Sequence, residues 1–185
     1  MLVRFCGRRV ILPSLVALAL AAITCRSYAY FDLDYAGIVQ LAQGAGPADV
    51  PLQGLAGIDI ARHPLMATQG LTVTDVTYAA VTQATLAVQT PATGVDLRFL
   101  AQVDVVLSAQ DMAPLTVATG TSFAPDVNLV PLKVSEALVT GYLKGINPTV
   151  TLVPTWAGPV PEAVTLELNL ITEVRVGQPG GSCQT

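Results

Sequence analysis

The most regular pattern of apolar and polar positions lies in the last third of the chain. Val164, Leu166, Leu168, Leu170, Val174 and Val176 share one parity, and Thr165, Glu167, Asn169, Glu173 and Arg175 share the other. Successive side chains of a strand point to opposite faces, so this alternation predicts a long strand with one face in a core and one in water. A second long segment alternates from Val76 to Val88 through Tyr78, Ala80, Ala84 and Leu86, whereas Leu71 and Val73 just before it hold the opposite parity. Such a phase change predicts a β-bulge near Thr74 and Asp75. A third segment sets Val103, Val105, Leu107 and Ala109 inward against Gln102, Asp104 and Ser108. The first sets Phe31, Leu33 and Tyr35 against Tyr30, Asp32 and Asp34.

Shorter strands are expected over Leu115 to Thr119, Val127 to Lys133 and Thr149 to Trp156. Pro131 and Pro154 offer no amide donor, which assigns their strands to sheet edges. About seven Val- and Thr-rich strands separated by turn residues predict a mostly-β chain. The expected architecture is a single two-layer β-sandwich, immunoglobulin-like or jelly-roll-like in layout. One short helix interrupts it. Val134, Leu138 and Tyr142 fall on one helical face with Val139 and Leu143 beside them; Glu136 stands near the start, Lys144 at the end and Gly145 just past it. Those charges suit the two ends of the helix dipole, and the glycine suits a C-terminal cap. This helix is expected to plug one open end of the sandwich. Residues 43 to 70 are the least regular, being broken by Gly44, Gly46, Pro47, Pro51, Gly54, Gly57, Pro64 and Gly70; within them Leu55 to Ile60 offers an extra edge strand.

The first 29 residues have a different logic. Arg4, Arg8 and Arg9 precede an uncharged apolar run from Val10 to Thr24, and a short polar stretch ends in small residues, which is the layout of a secretory signal. The run spans 15 residues and contains Pro13 and Ser14, short of the roughly 20 apolar residues a spanning helix needs. Ser27-Tyr28-Ala29 puts small residues where a signal peptidase reads, so cleavage after Ala29 would make Tyr30 the first mature residue. The expected organisation is a signal peptide over 1–29, the sandwich over 30–176 and a flexible tail over 177–185. Ala22-Ile23-Thr24-Cys25 resembles the lipobox of bacterial lipoproteins, and that resemblance implies a lipid on Cys25. Arg8-Arg9 followed by Val10-Ile11-Leu12 loosely resembles a twin-arginine signal. Both export routes stay open, and the expected location is periplasmic, extracellular or outer-membrane-associated. A disulfide between Cys25 and Cys183 requires that Cys25 be retained without lipid; otherwise Cys183 is an exposed thiol on the tail.

Charge narrows the partners. Only 12% of the residues are charged and 52% are hydrophobic, about half the usual charged fraction, which excludes a natively disordered chain. Beyond position 9 six basic groups face 13 acidic ones. That balance repels phosphate, so nucleic acid and anionic lipid surfaces are not expected partners; the only expected tie to a membrane is a lipid on Cys25. With one His, no CxxC and no glycine-rich phosphate loop, neither a zinc site nor a nucleotide site is expected, and no cofactor is.

Four residues are candidate ligand contacts. His63 is the sole imidazole; Ser108, Ser122 and Ser135 are the available hydroxyls for a triad, but none sits in a nucleophile-elbow sequence. Asp32 and Asp34 share a strand face about 7 Å apart, suitable for a calcium site or an acid/base pair, although alternation alone demands polar residues there. Trp156 shares the parity of Val150 and Leu152, which points it inward, while its turn-bounded position would also suit a ligand platform. The expectation is therefore an exported cell-envelope protein with a structural or protein-binding role and no catalysis. The alternative is a carrier of a small apolar ligand or lipid, and a hydrolase using Asp32 and Asp34 or His63 ranks last.

Overall fold

The structure, a computed structural model, describes residues 27–46, 50–51, 60, 63–91 and 94–178. The signal segment before Ser27, Cys25 and Cys183 lie outside the described residues. Strands form where the alternation is longest: β1 (Ser27–Leu41), β3 (Val76–Thr90), β4 (Leu100–Ser108) and β9 (Val164–Gln178). Between them run β2 (Val50–Pro51), β5 (Leu115–Thr121), β6 (Leu129–Pro131), β7 (Lys133–Val134) and β8 (Thr149–Trp156). All pairings are antiparallel, in one sheet of order β1-β9-β3-β6 and a second of order β2-β8-β4-β5-β7.

The two inner faces meet in one apolar cluster. Val76, Leu86, Leu168, Val174 and Val176 come from the first sheet, and Val103, Val105, Val117, Val150 and Leu152 from the second; all are buried. Burial of each such side chain is worth about 1.5–3 kcal/mol, which fixes the register of every long strand because a one-residue slip would turn the whole set to water. β9 lies at the centre of its sheet, and its even-numbered residues from Val164 to Val176 are buried, Thr172 included.

The chain closes one lateral side of this sandwich itself. It leaves the first sheet at Pro131, crosses through Leu132 and enters the second at Lys133. Leu132 is buried, and its amide donates to the carbonyl of Ala84 at 2.8 Å. A Cβ on Gly120 would stand 2.6 Å from Leu132 Cδ2 and 3.2 Å from atoms of Phe123 and Val103. Glycine at that position of β5 is what admits the crossing leucine. Since β6 and β7 share this side, the opposite edges, β1 and β2, share the other.

Several local expectations are corrected. The phase change before β3 is made by a 3-10 turn over Val73–Asp75, not by a bulge at Thr74 and Asp75. The Thr72 amide and hydroxyl both donate to the Asp75 carboxylate, at 2.7 and 2.8 Å, and hold its pKa below the usual carboxylate range. The register irregularities fall inside β3, the first between Val76 and Tyr78. The helix expected over 134–144 forms only as α2 (Thr140–Lys144). Val134 instead pairs with Ala118, and Leu138 bridges Ala80, so sheet hydrogen bonds take the backbone that helical periodicity had claimed. The segment 127–133 becomes two short strands in different sheets. A helix absent from the expectation, α1 (Pro64–Gln69), lies in the irregular region. Residues 55–59 lie outside the described residues, and Ile60 is buried and in no strand. Pro131 does occupy an edge strand, but β8, expected at an edge because of Pro154, lies between β2 and β4; Pro154 is tolerated there because β2 covers only Thr151 and Leu152.

Candidate functional site

β1 is built by strict alternation. Phe31, Leu33, Tyr35, Gly37, Val39 and Leu41 turn inward, and Tyr30, Asp32, Asp34, Ala36, Ile38 and Gln40 turn outward and are exposed. The strand pairs with β9 along its whole length without a register shift. Its other side pairs with nothing among the described residues. A fifteen-residue strand thus presents a row of backbone donors and acceptors at a sheet edge. No proline breaks it.

The outer face beside this edge is ordered by cross-strand register. Tyr30 stands opposite Arg175, which stands opposite Tyr78. The guanidinium carbon lies 5.4 Å from the Tyr30 ring centroid and 4.4 Å from that of Tyr78, within range for cation–π attraction to both. Arg175 Nε also donates to Glu173 Oε1 at 2.8 Å. That hydrogen bond raises the guanidinium pKa further. In the next row Asp32 faces Glu173, and in the one after it Asp34 faces Ile171. Further along, Glu167 accepts hydrogen bonds from Gln89 and Asn169. Asp32 and Asp34 make neither a hydrogen bond nor an ion pair among the described residues. They do share one face, as the alternation predicts.

His63 is placed elsewhere. It stacks on Phe31, an inward-parity residue, with ring centroids 4.2 Å apart and an interplanar angle of 17°. Its Nδ1 accepts from the Leu65 amide at 3.3 Å and caps the N-terminus of α1, where Pro64 takes the first position. A ring nitrogen used in that way acts as an acceptor. The two aspartates therefore lie on the face of β1 opposite to His63. No hydrogen bond joins His63 to Ser108, Ser122 or Ser135 among the described residues.

Trp156 is half-buried and packs against the core, its ring 6.1 Å from that of Phe99. Its indole Nε1 is buried without a partner among the described residues, as is the hydroxyl of Ser135. The inward placement expected from parity is the one observed. Tyr35 projects between the sheets, and burial pushes its phenol pKa well above the ordinary value. With Val81, Leu107, Val117, Val139, Leu143, Val150, Leu170 and Thr172 it lines a cavity of about 10 Å³, room for one water molecule. An open depression of about 310 Å³ lies at another part of the surface, lined by Val95, Asp96, Arg98, Phe99, Pro159 and Pro161 among others. Burial alone would raise the Asp96 pKa, but the amides of Arg98 and Asp126 and the Arg98 guanidinium, 2.8 Å away, lower it overall. Both charges in that depression are thus already paired with each other.

No protein-family model matches the chain, and no curated protein sequence matches it. Among the described residues there is no group of three or more His, Cys, Asp or Glu able to hold a metal ion. None of their helices is long and apolar enough to cross a membrane. The feature that parity could not reveal is the position of β1 in its sheet. Asp32, Asp34 and Ile38 flank a long edge that is unpaired among the described residues, and edge status follows from strand order.

Ala29, after which cleavage is expected, is the third residue of β1 and pairs with Val176. A mature chain beginning at Tyr30 keeps the strand from Tyr30 to Leu41.

Proposed function

We propose that this chain is an exported cell-envelope binding module that takes a partner segment as an added strand along the free edge of β1. The observation that carries the reading is the long, unbulged edge strand, which keeps Tyr30 to Leu41 after cleavage at Ala29, with one side unpaired among the described residues. Strand addition draws its affinity from main-chain hydrogen bonds and its selectivity from alternate side chains. Both are present at β1 in the form a partner needs: an extended backbone already held in place by β9, and an exposed outward row. The basic, apolar and small-residue order of residues 1–29 supports export.

Amide hydrogen exchange tests the edge. In the isolated protein, alternate amides of β1, those aimed away from β9, are expected to exchange fast while their neighbours are protected. In the protein recovered with its partner from the native envelope, the fast set is expected to slow. A purified monomer in which all β1 amides are already protected would overturn the reading, as would native protein that is always monomeric and unaccompanied. Intact mass of the native protein tests export: a chain still beginning at Met1 would refute it.

A further inference from the structure

The geometry points to a basic extended segment as the occupant of the β1 edge; this rests on the strand-addition reading above and specifies the partner's chemistry. The side chains of an added antiparallel strand stand directly opposite those of β1, with Cβ atoms about 4.5–5.5 Å apart, so the outward row of β1 is read residue by residue. At Asp32 and Asp34 that row presents two exposed carboxylates with no partner among the described residues. The next strand inward offers no relief. Glu173 faces Asp32, and the nearby cation, Arg175, is held by Glu173 and by the rings of Tyr30 and Tyr78.

A cation on the incoming strand meets an unmet charge at each aspartate, whereas an acidic strand meets repulsion. The same argument disfavours a second copy of this chain in any register that sets the aspartates against their copies. Such a pairing of β1 with β1 would bring four carboxylates into one seam between two chains in which, beyond position 9, six basic groups face 13 acidic ones, and like charges across a pair of strands are destabilising. Acidic side chains on an edge are a known way to prevent such self-pairing. Here they also set the sign of what is admitted.

Register adds a spacing. Ile38 lies on the same row and is 47% exposed. In an antiparallel partner, the residue opposite Ile38 comes first, the one opposite Asp34 four positions later and the one opposite Asp32 six positions later. The predicted occupant is therefore an extended segment with an aliphatic residue followed by Lys or Arg at the fourth and sixth positions after it.

Two fluorescent twelve-residue Thr/Val-rich peptides test this against the full chain by anisotropy. One carries Leu followed at those spacings by two Arg, and the other has Glu in place of both. The Arg peptide is expected to bind at least about tenfold more tightly, with a preference that shrinks as salt rises. Asp32→Lys with Asp34→Lys is expected to invert the preference. Asp32→Asn with Asp34→Asn, a milder change at exposed positions, is expected to erase it. Equal binding of both peptides with slowed β1 amides would overturn the charge selection and leave the strand-binding reading intact. Binding of neither peptide, with β1 amides unchanged, would overturn both. Concentration-dependent dimerisation of the unmodified chain with β1 protected would also overturn the inference, by making a second copy the occupant.

Discussion

On one side of the sandwich the chain crosses between the sheets through Leu132, and the edge strands there, β6 and β7, are three and two residues long. On the other side the first sheet ends in the fifteen residues of β1 and the second in the two residues of β2. Short edges and a proline are common protections against unwanted strand pairing, and the crossing side has both. On the other side β2 is short and holds Pro51, but β1 itself has neither protection. In the strand-addition proposal its protection is the charge of Asp32 and Asp34, which would discriminate among partners where a proline or a truncated strand would refuse all of them. One side of the molecule is thus closed by its own chain, and the other is the side to which the proposal assigns selectivity.

The largest expected effect tests the crossing side. Leu132→Ala removes a buried side chain wedged against Gly120, and should cost about 2–5 kcal/mol, read as a lower denaturant midpoint at unchanged slope. Ile38→Ala on the open side should stay within about 0.5 kcal/mol. Similar costs at the two positions would break the comparison. A smaller effect concerns Tyr35, one of the residues through which β1 packs on the core. Its folded pKa lies above its unfolded value near 10, so the folded state resists deprotonation there. That contribution is complete below pH about 10 and is lost as pH rises further. Tyr35→Phe should therefore leave neutral-pH stability within about 1 kcal/mol and flatten the alkaline decline seen in a pH series of melts. The smallest change in stability, within about 0.5 kcal/mol, is expected for Asp32→Thr with Asp34→Thr. Sedimentation should nevertheless show that variant associating at concentrations where the unmodified chain is monomeric.

How far the sequence could be read follows from the range of the forces involved. Val164 to Val176 and Val103 to Leu107 announce strands because each alternate side chain must be buried, and period two is a local signal. The sandwich follows from counting such runs. The segment 134–144 misleads because Val134, Leu138 and Tyr142 satisfy helical spacing, while hydrogen bonds to Ala118 and Ala80, distant in sequence, decide the backbone. For α1 a local signal did exist: Pro64 at the first position, a capping side chain before it, and Gly70 in the left-handed conformation after it. At the candidate site, parity placed Asp32 and Asp34 on one face. That their strand is an edge depends on β9 and β3 arriving from more than 40 residues away, and no local pattern encodes a strand order.

Trp156 gives this fold a built-in optical reporter. It is the chain's only tryptophan, and its indole N–H is shielded from water beside Phe99. The folded protein should consequently emit at shorter wavelength than the denatured one, with a single fluorophore contributing the indole signal. Loosening of the C-terminal end of β8 can then be followed by the emission spectrum alone, with no dye attached and no residue exchanged.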